Sequence, residues 1–364
     1  MKVLFDHQTF TIQRYGGISR YFANLHHGLN KLAGVNAKIA LLYTENEYIK
    51  RLPFPFNNAF GRKLFTGHYN RIYRWNQRYC KRRIKSGSFD VFHPTYYDTY
   101  FLEYLKKPFV LTVHDMIHEL FPKQFPDNDA VVARKQQLIN AATAIIAISE
   151  HTKKDIIKFY PQVADKIKVI HHGYRFEAVE KQMASTAEKY ILFIGERVSY
   201  KNFPLFVEAI APLLNQDKTL KLVCAGGGRF NADEEALLST LNIIAQCRQT
   251  NATDAELKQL YAQAQVFVFP SLIEGFGIPL LEAFSAGCPV AASNNTCFPE
   301  IGGDAIAYFD PTDKASIYDS VQQILSDHTI RHNYIQKGRE RLKLFTIEKQ
   351  VQQTLDLYRE VAAK

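Results

Sequence analysis

The chain alternates short apolar runs with longer amphipathic stretches. In its first half, the apolar runs predict strands over residues 2–5, 37–43, 91–93, 109–113, 144–148 and 167–170. Most of these runs are continuously apolar, which is typical of parallel strands covered on both faces. Apolar side chains also recur at helical spacing from Ile18 to Leu32, and they predict a helix over residues 17–32 that Gly34 closes.

A polar stretch over residues 174–189 interrupts this alternation, and strands then resume at 190–195, 221–225, 266–270, 289–292 and 305–309. Strands that alternate with helices indicate βαβ units and parallel sheets. We therefore predict the α/β class with two Rossmann-like domains, over residues 1–175 and 190–345. Residues 176–189 would be the linker between them, and residues 346–364 a C-terminal helix.

Size and composition agree with this organisation. A chain of 364 residues, 46% hydrophobic and 22% charged, is long enough for two soluble α/β domains. No run approaches the ~20 apolar residues of a membrane-spanning helix, and the first residues lack the apolar core of a secretory signal. Five scattered cysteines favour a reduced chain, which we expect in the cytoplasm or at the inner face of the cytoplasmic membrane.

The net charge of +9 is unevenly distributed. Residues 48–89 contain no Asp or Glu, and they interleave lysines and arginines with aromatic residues. Such a segment suits an anionic membrane surface or a phosphorylated substrate, a nucleic-acid groove would look similar, and a solvated helical face is the alternative without a ligand. The candidate acceptor or membrane contacts are Arg71, Arg74, Arg78 and Arg82.

Residues 266–311 contain the most informative pattern for chemistry. A predicted buried strand is followed by a glycine-rich loop with Glu274, then by Pro279 at a helix start and by Glu282. Amides of the loop and of the helix start can bind an anion, and the two carboxylates can accept hydrogen bonds from hydroxyls. A diphosphate flanked by two polyhydroxylated rings would use all of these groups. The alternative is that both acids merely favour the helix dipole.

The sequence E-G-F-G-I-P-L-L-E, an E-x7-E pattern after a strand, resembles the signature of the retaining GT-B glycosyltransferase family four, the glycosyl transferases group 1. The upstream T-D-A-E-L-K-Q-L-Y-A-Q-A and the downstream G-C-P-V-A-A-S and P-E-I-G-G-D-A-I-A-Y-F-D-P are similar to its donor-binding domain. The resemblance implies a GT-B architecture. Two Rossmann-like domains would face each other across a cleft, and the C-terminal helix would cross back to the N-terminal domain.

The resemblance also implies roles for residues in donor binding. Glu282 would bind the ribose hydroxyls, and the base would lie near residues 249–251, with Thr250 as the contact. Hydroxyls of the donor sugar would be bound by Glu274 and by the amides of Gly275, Phe276 and Gly277.

Further roles concern the diphosphate and the reacting sugar. Arg197 and Lys201, in G-E-R-V-S-Y-K-N, would neutralise the diphosphate. Gly16 and Gly17 resemble the family's N-terminal glycine loop, which approaches the same group. His114, at the end of a predicted strand, resembles the active-site histidine beside the donor sugar.

These roles imply retaining transfer of a hexose from a UDP- or GDP-linked sugar, GDP-mannose among them, to a glycan or lipid-linked acceptor. The basic segment suggests bacterial surface polysaccharide or lipopolysaccharide synthesis. We expect no metal or other cofactor, because the D-x-D sequence at residues 127–129 lies in a polar, proline-flanked stretch instead of behind a buried strand.

Two alternatives come from other classes. Gly226, Gly227 and Gly228 follow a strand and would suit an NAD-dependent oxidoreductase, although the spacing matches G-x-G-x-x-G only in part. A non-catalytic sugar-nucleotide-binding protein would retain the same donor residues. Nucleic-acid binding would explain the basic segment but not residues 266–311, so we expect no nucleic-acid partner. His171 and His172, at a strand end, suggest a turn without chemistry.

Overall fold

The computed structural model describes residues 1–125, 130–175, 188–197 and 199–363. The chain separates into two compact units. Unit 1 comprises Met1–Gly173 and the C-terminal residues from Ile347 onward, and unit 2 comprises Tyr174–Thr346. The D-x-D sequence at 127–129 and all but the last two residues of the predicted linker, 176–189, lie outside the described residues.

Unit 1 contains parallel strands ordered β2-β1-β3 and β4-β5-β6. An isolated bridge between Phe92 and Phe109 lies between β3 and β4. Every residue of β3, β4 and β5 is buried, as their apolar runs predict. The strands are β1 (Lys2–Phe5), β2 (Asn36–Ile39), β3 (Val91–His93), β4 (Val110–Val113), β5 (Ala144–Ala147) and β6 (Ile167–Val169).

Helices cover the strands of unit 1. They are α1 (Gln8–Ile12), α2 (Gly17–Leu29), α3 (Ala59–Phe65), α4 (Tyr69–Lys85), α5 (Ile117–Leu120), α6 (Val131–Ala141) and α7 (Glu150–Phe159). Helix α2 is shorter than predicted, because the Asn30 side chain exchanges two hydrogen bonds with the backbone of Ala37 and ends the helix before Gly34.

The predicted strand over 37–43 is wrong beyond Ile39. There the chain leaves the sheet, and the Asn76 carboxamide of α4 takes over its backbone bonds. Asn76 Oδ1 accepts from the amides of Leu42 and Tyr43 at 3.0 and 3.2 Å. A side chain from a helix thus replaces a neighbouring strand, which apolar patterning does not reveal.

Unit 2 forms a parallel sheet of order β12-β11-β10-β7-β8-β9 in its described residues. Sequence patterning missed the edge strand β9, because its C-R-Q-T sequence is polar and half-buried. The strands are β7 (Tyr190–Ile194), β8 (Lys221–Ala225), β9 (Cys247–Thr250), β10 (Val266–Phe269), β11 (Val290–Ser293) and β12 (Ile306–Phe309).

The remaining helices are α8 (Phe203–Gln216), α9 (Ala232–Thr240), α10 (Asp254–Gln263), α11 (Ile278–Ala286), α12 (Phe298–Gly302), α13 (Lys314–Ser326), α14 (His328–Leu342) and α15 (Ile347–Ala362). Helix α15 belongs to unit 1 and packs on α2. Gly28 permits this close approach, since a Cβ there would collide with Val351. The apolar face of α15 therefore completes the core that contains Phe22 and Leu25.

Candidate active site

The carboxyl ends of the unit 2 strands collect most of the predicted donor residues. Strand β7 pairs with β8 on one side and with β10 on the other, so the strand order reverses between β7 and β10. Ligands of open α/β sheets bind at such a switch point, outside the carboxyl ends of the strands. Lys201 follows β7 and Glu274 follows β10, so the two residues flank the switch point.

Lys201 and Glu274 form an ion pair. Lys201 Nζ lies 2.5 Å from Glu274 Oε1, and the side chains are 16% and 14% exposed. A short 3-10 helix, Ser199–Lys201, presents the lysine. The Leu272 amide donates to the Tyr200 carbonyl at 2.7 Å and ties the two loops together. The structure thus brings a cation for an anionic ligand beside a carboxylate that can accept from hydroxyls.

Gly277 sets the turn between the loop and α11. Its φ of 86° is left-handed, and a Cβ would lie 3.2 Å from Phe298 Cε1, so backbone conformation and close packing both favour glycine. The helix that follows presents its N-terminus at the same sheet edge, where an anion is favoured. Gly275 and Phe276 precede this turn, and the Phe276 ring is buried 5.9 Å from that of Phe345. The Phe276 side chain therefore belongs to the core of unit 2.

Glu282 lies in the second turn of α11 and is 8% exposed. Tyr261 of α10 donates its hydroxyl to Glu282 Oε2 at 3.1 Å. Burial, followed by the nearby Glu282 charge, raises the pKa of the Tyr261 phenol well above its usual value. The phenol therefore stays a donor and orients the carboxylate. Sequence analysis missed Tyr261, because a tyrosine on an amphipathic helix carries no signal of its partner.

Arg197 is enclosed by its own unit. Its Nε donates to Glu234 Oε1 at 2.8 Å, and its side chain is 2% exposed. Its Nη atoms donate to the carbonyls of Gly226, Gly227 and Gly228, three successive glycines with left-handed φ. The glycine turn after β8 thus wraps the guanidinium, and Arg197 supports this turn.

Thr250, the predicted base contact, ends β9. Its carbonyl accepts from the Gly226 amide at 3.0 Å, so residues 249–251 lie beside the glycine turn. The side chain of Gln249 donates to Asn251 Oδ1 at 2.9 Å. These groups occupy the same strand-end edge as Lys201, which is where the base of a nucleotide would be held in this fold type.

In unit 1, the predicted glycine loop precedes α2. Gly17 is the first residue of the helix, and Gly16 caps it. A Cβ on Gly16 would collide with the Gln13 carboxamide. That carboxamide accepts from the Ser19 amide at 3.1 Å, so Gln13 stabilises the first turn of α2. Glycine at position 16 lets this side chain fold over the helix start.

His114 follows β4 and is 8% exposed. Its backbone amide donates to the Tyr97 hydroxyl at 3.2 Å, and its Nε2 has no hydrogen-bond partner among the described residues. The pKa of His114 is lowered to about 4, chiefly by burial; the Asp115 charge opposes this shift, and the Lys135 charge adds to it. The imidazole is therefore neutral near pH 7.

His172 and Tyr21 form a wall beside His114. The His172 ring stacks on His114 with centroids 5.8 Å apart, and the Tyr21 ring meets His114 edge-on at 5.3 Å. Burial lowers the pKa of His172 well below its usual value. The interpretation of His172 as a turn residue missed this contact. The available signal was that His172 follows β6 closely, as His114 follows β4.

The predicted arginine stripe lies on α4. Its members are Arg71, Arg74, Arg78 and Arg82. All four are exposed, and none pairs with a carboxylate of a described residue. Trp75 on the same helix and Phe60 on α3 are 41% and 66% exposed. In the described part of the chain, no helix is both long and apolar enough to cross a membrane, and no cluster of three His, Cys, Asp or Glu residues could hold a metal ion.

Two family models match the chain. The model described as Glycosyltransferase Family 4 matches residues 15–177, and the model described as Glycosyl transferases group 1 matches residues 175–341. The fold and the strand-end site therefore define a glycosyltransferase with the GT-B fold. The chain belongs to the glycosyltransferases of family four, as the E-x7-E resemblance indicates.

Individual proteins similar to this chain are also glycosyltransferases or share its fold. The O-antigen chain mannosyltransferase B of Escherichia coli is 27% identical over 69% of this chain and 70% of its own length. The structure of sucrose-phosphate synthase from Thermosynechococcus elongatus superposes with a TM-score of 0.75 at 20% identity, over 100% of this chain and 99% of that one. Anabaena HepE in complex with UDP and glucose gives a TM-score of 0.74 at 16% identity, over 99% and 100%. The two structural likenesses show the fold.

Proposed function

We propose that the protein transfers a hexose, with retention of anomeric configuration, from a nucleoside-diphosphate sugar to a glycan or lipid-linked acceptor. The observation that carries the proposal is the Lys201–Glu274 pair at the switch point of the unit 2 sheet. It joins a cation suited to a diphosphate to a carboxylate suited to sugar hydroxyls. The UDP and glucose bound to HepE support a donor of this class.

In this proposal, Lys201 stabilises the charge that develops on the leaving diphosphate, and the amides of Gly275, Phe276 and Gly277 help Glu274 to bind the donor sugar. Glu274 accepts from hydroxyls of the donor sugar, and Glu282, oriented by Tyr261, accepts from the ribose. Thr250 lies at the base, and the loop at Gly16 and Gly17 approaches the diphosphate. Arg197, enclosed by the glycine turn, supports the site without touching the donor.

The reaction we propose proceeds on one face of the sugar. The bond from the anomeric carbon to the diphosphate oxygen breaks, and the bond to the acceptor oxygen forms on the same side. The departing phosphate oxygen takes the acceptor proton. Neutral His114 donates or accepts a hydrogen bond beside the sugar. Lys201 supplies the positive charge beside the diphosphate, so we propose that no metal is needed, and chelator treatment should leave the rate unchanged.

We propose that the acceptor is an intermediate of surface polysaccharide synthesis. The likeness to an O-antigen mannosyltransferase supports this part of the proposal. The arginine stripe and the exposed rings of Trp75 and Phe60 suit the inner face of an anionic membrane, where cations meet headgroups and aromatic rings enter the interface. Sedimentation with vesicles of anionic and neutral lipid tests this part. Vesicle binding that does not depend on anionic lipid content or on salt concentration would contradict the proposed membrane contact.

The primary test is thermal-shift screening with UDP, GDP, ADP and their sugars, with NAD as control. We expect one nucleoside diphosphate to raise the melting temperature, because ligand bound to the native state stabilises it by mass action. A shift with NAD alone would contradict the proposal. Donor turnover then separates the enzyme from a non-catalytic sugar-nucleotide-binding protein, for which binding without release of the nucleoside diphosphate would be found.

Intact-mass measurement tests the one-face reaction. Protein incubated with donor, and the Glu274→Ala variant treated alike, should show no added hexose, because no carboxylate acts as a covalent nucleophile in this proposal. A mass increase of one hexose on the native protein that is absent in Glu274→Ala would contradict the one-face reaction and indicate a double displacement through Glu274.

A further inference from the structure

Unit 1 contains an open cavity, which we call the tyrosine pocket. It encloses about 650 Å³. Its walls carry the side chains of Tyr69, Tyr73, Tyr96 and Tyr97, and two arginines, Arg74 and Arg134, also line it. All of these described lining residues lie in unit 1.

The tyrosines give the pocket the character of a carbohydrate site. A tyrosine presents an apolar ring face, which packs on the C–H face of a sugar, and a polar hydroxyl. The Tyr73 hydroxyl donates to Asp98 Oδ2 at 2.6 Å. Asp98 is fixed in turn by two hydrogen bonds between its backbone and the Gln8 side chain, at 2.7 and 3.1 Å. The polar groups of the wall are thus held in place before a ligand arrives.

The charges of the pocket favour an anion. Arg74 and Arg134 are both exposed, and neither pairs with a carboxylate of a described residue. Among the described residues, the guanidinium of Arg74 donates to one group, the Asn70 carbonyl of its own helix, at 3.3 Å. Asp98 is the one acid among the described lining residues, and its carboxylate is already engaged by Tyr73. Two guanidinium groups that pair with no acid of the described residues are suited to a phosphate or a carboxylate.

One wall of the pocket supports the active-site histidine. Tyr97 lines the pocket, and its hydroxyl accepts from the His114 amide at 3.2 Å. Tyr97 is held by Lys135, whose Nζ lies 5.1 Å from the ring centroid and pairs with Glu119 at 2.9 Å. A sugar in the pocket would therefore lie next to the loop that presents His114.

We propose that the tyrosine pocket binds a sugar residue that bears a phosphate or carboxylate group, and that this sugar is part of the acceptor. The role as acceptor rests on the proposed transferase function, whereas binding itself does not. Arg74 contacts this ligand together with Arg134. The other three arginines of the α4 stripe do not line the pocket. The stripe thus divides into one acceptor residue and three surface residues.

Saturation-transfer NMR on the full chain tests binding with four probes: glucose 6-phosphate, methyl glucuronide, neutral methyl glucoside and inorganic phosphate. We expect saturation of the ring protons of at least one anionic sugar, and weaker saturation of methyl glucoside. A stronger signal from glucose 6-phosphate assigns the anion as phosphate, and a stronger signal from methyl glucuronide assigns it as carboxylate. Phosphate is used as a competitor, and its complete failure to compete would favour the carboxylate.

Variants locate the site. Arg74→Ala and Arg134→Ala should each weaken binding of the anionic sugar roughly tenfold, since each removes a charge-assisted contact. Arg78→Ala, an equally exposed arginine on the same helix outside the pocket, is the matched control and should bind normally. Tyr69→Ala should weaken the binding of every sugar probe. Phe60→Ala, which also removes an exposed ring, should leave this binding unchanged.

Three results would overturn the proposal: no saturation of any sugar, equal saturation of methyl glucoside and the anionic sugars, or equal losses in Arg78→Ala and Arg74→Ala. The nucleotide thermal shift of the same variants separates this proposal from the proposed function. If the native protein shows no shift with any nucleoside diphosphate, the transferase function fails while the sugar site stands. If the shift persists and the sugars do not bind, only the pocket assignment fails.

Discussion

Lys201 Nζ and Glu274 Oε1, 2.5 Å apart, join the loops after β7 and β10 across the point where the strand order of the unit 2 sheet reverses. The two residues are far apart in sequence and neither is deeply buried. The pair therefore keeps opposite charges adjacent at the place where an open α/β sheet binds its ligand. A donor that carries both a diphosphate and sugar hydroxyls can engage each partner separately.

We expect Lys201→Ala to lower kcat by roughly 10²–10³-fold, because a cation next to the leaving diphosphate stabilises the charge that develops in the transition state. Donor turnover and the nucleotide thermal shift measure the effect. Lys337→Ala, which breaks an exposed ion pair with Asp304 in the same unit, is the matched control. Equal activity in the two variants would show that Lys201 has no role in donor turnover.

Tyr261→Phe tests whether the buried hydroxyl orients Glu282. Loss of the 3.1 Å hydrogen bond should reduce the thermal shift from a nucleoside diphosphate and raise KM for the donor, with a smaller effect than Glu282→Gln. Tyr190→Phe removes a hydroxyl that donates to the Leu260 carbonyl at 2.7 Å in the same unit, and it should leave the shift intact. A nucleotide response unchanged in Tyr261→Phe would contradict the positioning role.

Gly277→Ala should destabilise unit 2 by about 1–3 kcal/mol, since alanine is strained at a φ of 86° and its methyl group would press on Phe298. Chemical denaturation measures this loss. Gly228→Ala is the control, because φ there is 72° but a Cβ would meet no atom within 4 Å. An equal or larger loss in Gly228→Ala would mean that crowding at Phe298 does not contribute.

Arg197→Gln should lower the free energy of unfolding by about 3 kcal/mol, because it leaves Glu234 and the carbonyls of the glycine turn without their buried partner. Pairing it with Glu234→Gln should recover part of that loss. We expect this folded double variant to keep its nucleotide thermal shift, as a supporting role requires. A lost shift in a stable double variant would instead make Arg197 a diphosphate ligand.

Acidification should destabilise the protein through buried histidines. Burial lowers the pKa of His7 to about 3, so the folded state stays neutral where the unfolded state, with a pKa near 6.5, takes up a proton. The stability that His7 contributes is therefore complete above pH 6.5 and falls by up to about 1.4 kcal/mol per pH unit below it. His7→Leu should reduce this slope in denaturation curves at pH 7 and pH 5. An unchanged dependence of the unfolding free energy on pH in His7→Leu would contradict the contribution of His7 to acid destabilisation.

Several elements were predictable from the chain alone. Apolar runs identify the buried strands, such as Val91–His93 and Lys221–Ala225, with the bounds that the structure has. The E-x7-E sequence with its glycines indicates the family, and the left-handed φ of 86° at Gly277 favours glycine at that position. Local backbone requirements and burial patterns are written in consecutive residues, so they can be read before the chain is folded.

Other features depend on contacts between distant residues, and only the tertiary structure decided them. Asn76 ends the strand predicted over 37–43, Tyr261 orients Glu282, and Glu234 encloses the guanidinium of Arg197. The sequence by itself therefore determined the fold class, the family and the strand-end loops that carry the site. The tertiary structure decided which polar groups pair, because a hydrogen bond depends on a distance and an orientation that no sequence spacing encodes.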